Sequence, residues 1–312
     1  MKHERALAYA AFLTVCLVWG TTYLAIRVAI ETIPPFLLTG IRFTVAGLIL
    51  VTISLARGHR LPRDWRILGN LALIGVLMVV VGNLSVVWAE KYVPSGMAAL
   101  LVATGPLWMA LMEALRTGGE RVNLRRGVGM LVGFIGVALL VTPRGAGGRF
   151  EPGFILGALA IQVGTVGWNI GTYRGKYHLP KLPPLLSSGV QALIGGVVVG
   201  SVGLALGEAP RFHVTMRTSA ALAYLTIFGS LIAFSAYVYA LSKMSTTSIS
   251  LYAYVNPAVA VVLGWLILSE KLTWVSVTAM VVILAGVALV QGGGIRGRLR
   301  SAAETTRIQE AA

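Results

Sequence analysis

Ten long apolar stretches dominate the chain, with polar residues confined to short joints between them. They lie at roughly 7–27, 34–56, 67–89, 95–116, 124–142, 153–173, 184–206, 218–241, 246–268 and 273–291. Stretches of this kind read as helices spanning a bilayer, because about 20 residues at a 1.5 Å rise cover a hydrocarbon core of ~30 Å. The joints leave no room for a soluble domain. From Gly292 onward the pattern turns polar and basic, and residues 292–312 read as a disordered cytoplasmic tail.

The apolar pattern carries a repeat. Trp19 matches Trp168, Pro34-Pro35 matches Pro183-Pro184, Gly40 matches Gly189 and Gly47 matches Gly196, all 149 positions apart. Further on, Pro106 pairs with Pro257, Glu120 with Glu270, and the string GVAL occurs at Gly136 and at Gly286. The halves are 7–142 and 153–291, each with five stretches. Five is odd, so the second copy enters the membrane upside down. The fold class expected is therefore an all-α polytopic membrane protein: ten transmembrane helices, two inverted five-helix repeats, a central cavity between them. Inverted repeats of this kind build many secondary transporters, with the site near the midplane.

Composition agrees. The 312 residues are 56% hydrophobic and 12% charged, with a mean hydropathy of +0.81; soluble domains carry roughly 25% charged residues. The net charge of +15 does not point to nucleic acid, since Lys and Arg sit in short clusters between apolar stretches. With the N-terminus inside, 18 of them fall in inner segments and 7 in outer ones, which predicts both termini in the cytoplasm. The first stretch runs on past Trp19 to Ile26, too long for a signal peptide's apolar region and without a clear cleavage site. The single cysteine, Cys16, excludes an internal disulfide and reads as a small buried hydrophobe.

The stretches VWGTTYLAIRVAIETIPPFLLTGIRFTVAG, VPSGMAALLVATGPLW and YAYVNPAVAVVLGWLILSEKLTW resemble the EamA family of the drug/metabolite transporter superfamily, over residues 8–291. Within it the chain is similar to the YedA-like members and, through the superfamily pattern, to the YddG-like aromatic amino acid exporters. The resemblance implies ten helices in two inverted repeats, a bacterial inner membrane, and export of small metabolites, amino acids foremost.

Candidate chemistry starts with two prolines inside apolar stretches, Pro106 and Pro257. Each removes a backbone donor and frees a carbonyl, which protein or cavity water must satisfy in lipid. Both are expected to mark breaks facing the interior and to act as hinges. Tyr252 lies one turn before Asn256 on the same face; the pair either lines the pathway or serves as packing around a kink. Trp19 and Tyr23 share a face on the first helix, and Trp168 and Thr172 occupy the matching places on the sixth, beside Asn169. These read as cavity lining suited to an aromatic or apolar cargo with a polar end, or else as core packing. Arg42 is the basic residue clearly within a span. A charge at the bilayer centre costs about 2.5–3.5 kcal/mol on insertion scales and faces the interior. It binds either backbone carbonyls and the extracellular Glu90 region or a cargo carboxylate. Its repeat partner is Gln191. Asn83, Trp88, Ser235, Tyr239 and Gln162 complete the candidate lining. Glycines four apart, Gly167, Gly171 and Gly175, with Gly129 and Gly133, read as close helix contacts.

No phosphate-binding GxxxxGK[ST] occurs, GVGMLVG at Gly127 has the wrong spacing for a dinucleotide, and the four histidines are scattered. No cofactor and no metal are expected, and the reading is not an enzyme. Only Glu113 reads as an intramembrane carboxylate, so the sequence suggests a carrier driven by its substrate's gradient or only weakly coupled to protons. The partners expected are a small-molecule substrate and the lipid bilayer, without nucleic acid; nothing demands more than a monomer. Alternatives are a nucleobase, nucleoside or drug efflux carrier working by the same alternating access, a channel and, further off, a polytopic membrane enzyme, which would need paired acids or histidines at a membrane face.

Overall fold

The computed structural model describes residues 2–115, 124–140, 142, 153–250, 252–270 and 273–289; among these there is helix and no strand. In chain order the helices are α1 (Lys2–Ala29), α2 (Pro35–Ala56), α3 (Trp65–Ala89), α4 (Ser95–Leu115), α5 (Leu124–Leu140), α6 (Phe154–Tyr177), α7 (Pro184–Ala205), α8 (Met216–Lys243), α9 (Tyr252–Leu268) and α10 (Trp274–Leu289). Among the described residues seven, α1–α4 and α6–α8, are long and apolar enough to cross a membrane, while α5, α9 and α10 are apolar but shorter. Leu13, Leu17, Leu159, Val163, Trp265 and Trp274 point outward. An apolar exterior of this kind suits lipid. The tail and Glu120 lie outside the described residues.

Helix starts follow local chemistry. Pro35 and Pro184 occupy first-turn positions, where the missing N–H costs nothing. Asp64 accepts from Arg66 N at 2.8 Å to cap α3, and a Thr215–Thr218 capping box opens α8. Two carboxylates from distant sequence close other helix starts. Glu208 accepts from Leu37 N at 3.0 Å on α2. Glu270 accepts from Ser95 N and Oγ, both 2.8 Å, and from Gly96 N at 3.1 Å on α4. A negative charge there also answers the positive end of the helix dipole.

The halves interlock. α1 packs on α9, α3 on α6, and α2 along the length of α7. The α2–α7 contact depends on absent side chains: a Cβ on Gly40 would sit 2.5 Å from Gly200 Cα, and one on Gly196 would overlap Thr44 N. Gly167 and Gly171 admit Val81 and Met78 of α3, and Gly133 meets Leu107 and α10. Gly175 departs from the expectation: a Cβ there would meet only Leu241 at 4.0 Å, and the position faces a cavity instead.

Two features shape the interior. Val76–Asn83 within α3 and Leu225–Ala233 within α8 are π-helical, and their starts are 149 positions apart, the spacing that separates Trp19 from Trp168. Helix continuity also breaks near both prolines, but ahead of them. α4 turns at Ala103–Thr104, before buried Pro106. Pro257 sits inside unbroken α9, and the interruption lies at Ser250, after the one-turn helix Thr246–Ile249. Pro106 lies in the first turn of the restarted helix, where its missing N–H costs nothing, whereas Pro257 lies a turn further in and forfeits the bond its N–H would make to Ala253 O.

Candidate functional site

A narrow pocket lies where the halves meet. Trp19 and Tyr23 come from α1, Arg42 from α2, Asn83 from the π turn of α3, Trp168 and Asn169 from α6, and Tyr252 and Asn256 from α9. Its free volume is about 80 Å³, room for two or three waters at ~30 Å³ each. An aromatic side chain does not fit in that space without movement of the lining.

Arg42 is its only charged lining residue among the described residues, 2% exposed. Nε donates to Ser230 Oγ at 2.9 Å, in the π segment of α8. The guanidinium carbon stands 4.9 Å from the Phe43 ring centroid, and Nη1 has no partner. A buried cation with a free donor fork is matched to a planar anion such as a carboxylate. Neighbouring polar groups are partly satisfied. Asn169 Nδ2 donates to Thr165 O at 2.8 Å. With its nitrogen turned toward the carbonyls, the Asn256 amide donates to Cys16 O at 2.9 Å and Tyr252 O at 3.2 Å. Asn83 Oδ1 and Trp168 Nε1 are buried without a partner. Trp19 Nε1 reaches Gly229 O at 3.2 Å.

One end of the pocket is an aromatic cluster. Trp19 meets Trp168 edge-on at 5.3 Å between centroids, and Tyr252 and Tyr237 at 5.1 Å each; Trp168 and Tyr237 are 5.4 Å apart. Tyr237 was not among the sequence candidates. It is fully buried, and its hydroxyl shares a 2.7 Å hydrogen bond with Thr172. Beyond the cluster lies a second cavity of about 790 Å³, lined by Met78, Gly171, Lys176, Lys181, Val238 and Lys243 among others. On α6 and α8 these residues follow the pocket residues by about a turn, and on α3 they precede them by about a turn, all on the side where Glu4 pairs with Lys243 at 2.9 Å. The aromatic cluster thus lies between a roomy basic vestibule and the narrow pocket.

The sequence model of the EamA-like transporter family matches this chain twice, at residues 6–142 and 155–291. The chain belongs to the EamA-like transporter family. It is 36% identical over 287 residues to YedA of Escherichia coli strain K12, named an uncharacterized inner membrane transporter, covering 91% of this chain and 90% of that one. A chloroplastic WAT1-related protein of Arabidopsis thaliana is 25% identical over 87% of this chain and 66% of its own length. A solved crystal structure superposes with a TM-score of 0.68 over 91% of this chain and 96% of its own, at 23% identity, which establishes likeness of fold.

For this EamA-like chain, five candidates fall outside the pocket. Trp88 packs on Tyr92, centroids 5.1 Å apart. Ser235 Oγ bonds back to Leu231 O at 2.6 Å. Tyr239 and Gln191 line the vestibule. Trp88, Ser235 and Tyr239 all follow a π segment, which turns subsequent residues by about 100° from where a regular helix would aim them. Gln162 serves the backbone instead. Its Nε2 donates to Leu101 O at 3.0 Å, and its Oε1 accepts from Thr104 Oγ1 and Trp108 Nε1, both at 3.0 Å. These bonds close the gap where α4 breaks.

The carboxylates also need correcting. Glu113 accepts from Tyr177 OH and Thr246 Oγ1, both at 3.0 Å, near its helix end. Glu90, expected at the extracellular surface, is 0% exposed, so a solvent-excluded acid does stand at the end of a span. Among the described residues no three His, Cys, Asp or Glu side chains gather as a metal site would require.

Proposed function

We propose that this chain is a secondary transporter that exports small metabolites, amino acids with an aromatic or other neutral side chain first among them, across a bacterial inner membrane by alternating access. In this reading ten helices cross the membrane as two inverted five-helix repeats, 7–142 and 153–291, with both termini cytoplasmic. Two consecutive family matches and the equal offset of the two π segments support the repeat, and the name of the YedA relative supports the membrane.

The observation that carries the cargo class is Arg42 with Nη1 unpartnered in a pocket walled by Trp19 and Trp168. An anionic head can complete the guanidinium while an apolar body displaces the edge-to-face rings. Opening at the aromatic cluster would join pocket to vestibule, and the vestibule's lysines favour approach of anionic groups. Pro106 and Pro257, close behind helix breaks, are the hinges of this motion.

The test is counterflow in proteoliposomes with labelled amino acids, nucleosides and a cationic drug. Neutral amino acids should exchange. Arg42→Gln removes a charge-assisted bond of about 1.5–3 kcal/mol, so exchange should fall roughly ten- to hundred-fold. Trp19→Ala and Trp168→Ala should also weaken it. Normal transport by all three variants would remove this site from the pathway, and exchange of nucleosides alone would change the cargo.

A further inference from the structure

Glu90 follows the last turn of α3, one turn beyond Val86 of the pocket lining, and is 0% exposed. Both carboxylate oxygens are buried without a hydrogen-bond partner. Arg27 of α1 does reach Glu90, but its Nη1 donates to the backbone carbonyl and leaves the carboxyl alone. Ile26 of the pocket lining packs with Ala29, Leu38, Val87 and Leu225 of α1, α2, α3 and α8 in a cluster nearly or wholly excluded from solvent, a seal three residues along the chain from Glu90.

A carboxylate buried as fully as Glu90 loses its hydration and gains no bond in return, whereas a neutral carboxyl loses far less. We propose that Glu90 is a proton-binding site that gates this end of the pocket: the seal closes over the protonated carboxyl and opens when it ionises. The charged and titratable groups facing it are Arg27 and Tyr23 of α1, Arg42 of α2 and Glu270 after α9, with Lys91 next along the chain. Burial pushes the Glu90 carboxyl well above the ordinary carboxylate range; Arg27 opposes the rise, Glu270 adds to it and Arg42 opposes it. The sealed form therefore holds a proton that the hydrated form releases. Rising pH shifts the balance toward opening, in the window between the ordinary carboxylate value and the raised one.

The proposal deepens the transport reading and rests on it for its consequence, but its test needs no cargo. In a Cys16→Ala background, Val86→Cys probes the sealed end, and Val214→Cys, in the exposed segment before α8, reports intrinsic thiol reactivity. Labelling of each by a permanently charged methanethiosulfonate is followed in proteoliposomes across pH. The Val86→Cys to Val214→Cys rate ratio should rise with pH, by up to about ten-fold per unit, the limit for one linked proton. Adding Glu90→Gln should hold the ratio low at every pH. A flat ratio with Glu90 present, or the same slope with Glu90→Gln, overturns the proposal. Should Val86→Cys not fold, infrared difference spectra of the full chain decide the matter. A protonated-carboxyl band at neutral pH that Glu90→Gln abolishes supports it, and absence of that band overturns it. Failure of the counterflow panel would refute the cargo reading and leave this gate standing.

Discussion

Arg42 and Gln162 are both polar, both in the interior and both within reach of a broken or widened helix, yet their bonding assigns them opposite roles. Gln162 spends every group it has on α4, satisfying Leu101 O, Thr104 and Trp108, while Arg42 keeps a nitrogen free. Gln162→Ala should therefore act on stability. Hydrogen bonds between membrane helices average about 0.6 kcal/mol, and three lost together should lower stability by roughly 1–2 kcal/mol, read as a reduced unfolding temperature in detergent. The cargo profile of the folded fraction should be unchanged; a changed profile would put Gln162 back in the pathway. Polar and aromatic residues inside apolar stretches were legible as site candidates, which is why Trp19, Tyr23, Arg42, Asn83, Trp168, Asn169, Tyr252 and Asn256 do meet in one pocket. Glu90 was not, because a carboxylate just past the last turn of a span reads as loop; its burial, with Arg27 of α1 reaching its backbone, is a tertiary property that no local pattern announces.

The π segments set the limit of legibility for elements. Hydrophobic periodicity assumes 3.6 residues per turn, and α3 and α8 depart from it for eight and nine residues near the pocket. Every face assigned beyond that point shifts, hence the misplacement of Trp88, Ser235 and Tyr239 and the overlooked Tyr237. The wider turn also puts Gly229 O beside Trp19 and Ser230 Oγ beside Arg42, so the irregularity builds the site. A π turn is a regular helix carrying an inserted residue. Deleting Val80 should then relax α3 toward an α-helix with its flanks in place. The protein should remain monodisperse, its unfolding temperature should move by a few degrees, on the order of 1 kcal/mol, and transport should be lost with the presentation of Asn83. Deleting Leu73, in the regular part of α3, would turn the following residues by about 100° and should prevent folding. Equal tolerance of the two deletions would show that the π geometry carries no special slack.

At the scale of the whole molecule, seven helices are long enough to span among the described residues while α5, α9 and α10 are shorter there, and the two resulting topologies make opposite predictions. The 16 described residues of α10 cover about 24 Å at 1.5 Å each, and the difference from a ~30 Å core is one that local thinning or snorkelling accommodates. α9 gains reach from the turn Thr246–Ile249 in series with it. Packing argues that these helices belong within the bundle: a Cβ on Gly136 of α5 would meet Ile283 of α10 at 2.7 Å, and α9 lies against α1 and α4. If all ten cross, the number is even, so both ends of the chain share a side and the turn at Gly207, after α7, lies on the other. If only the seven long helices cross, starting from the same inside N-terminus, the C-terminus moves outside and Gly207 moves inside. Alkaline phosphatase, active only outside, and green fluorescent protein, fluorescent only inside, separate the cases when inserted after Gly207 or fused at the C-terminus. The ten-span reading predicts phosphatase activity at Gly207 and fluorescence at the C-terminus. The reverse pair would leave the second half without its inversion, and Arg42 and Ser230 could then no longer be contributed by two oppositely oriented copies of one unit.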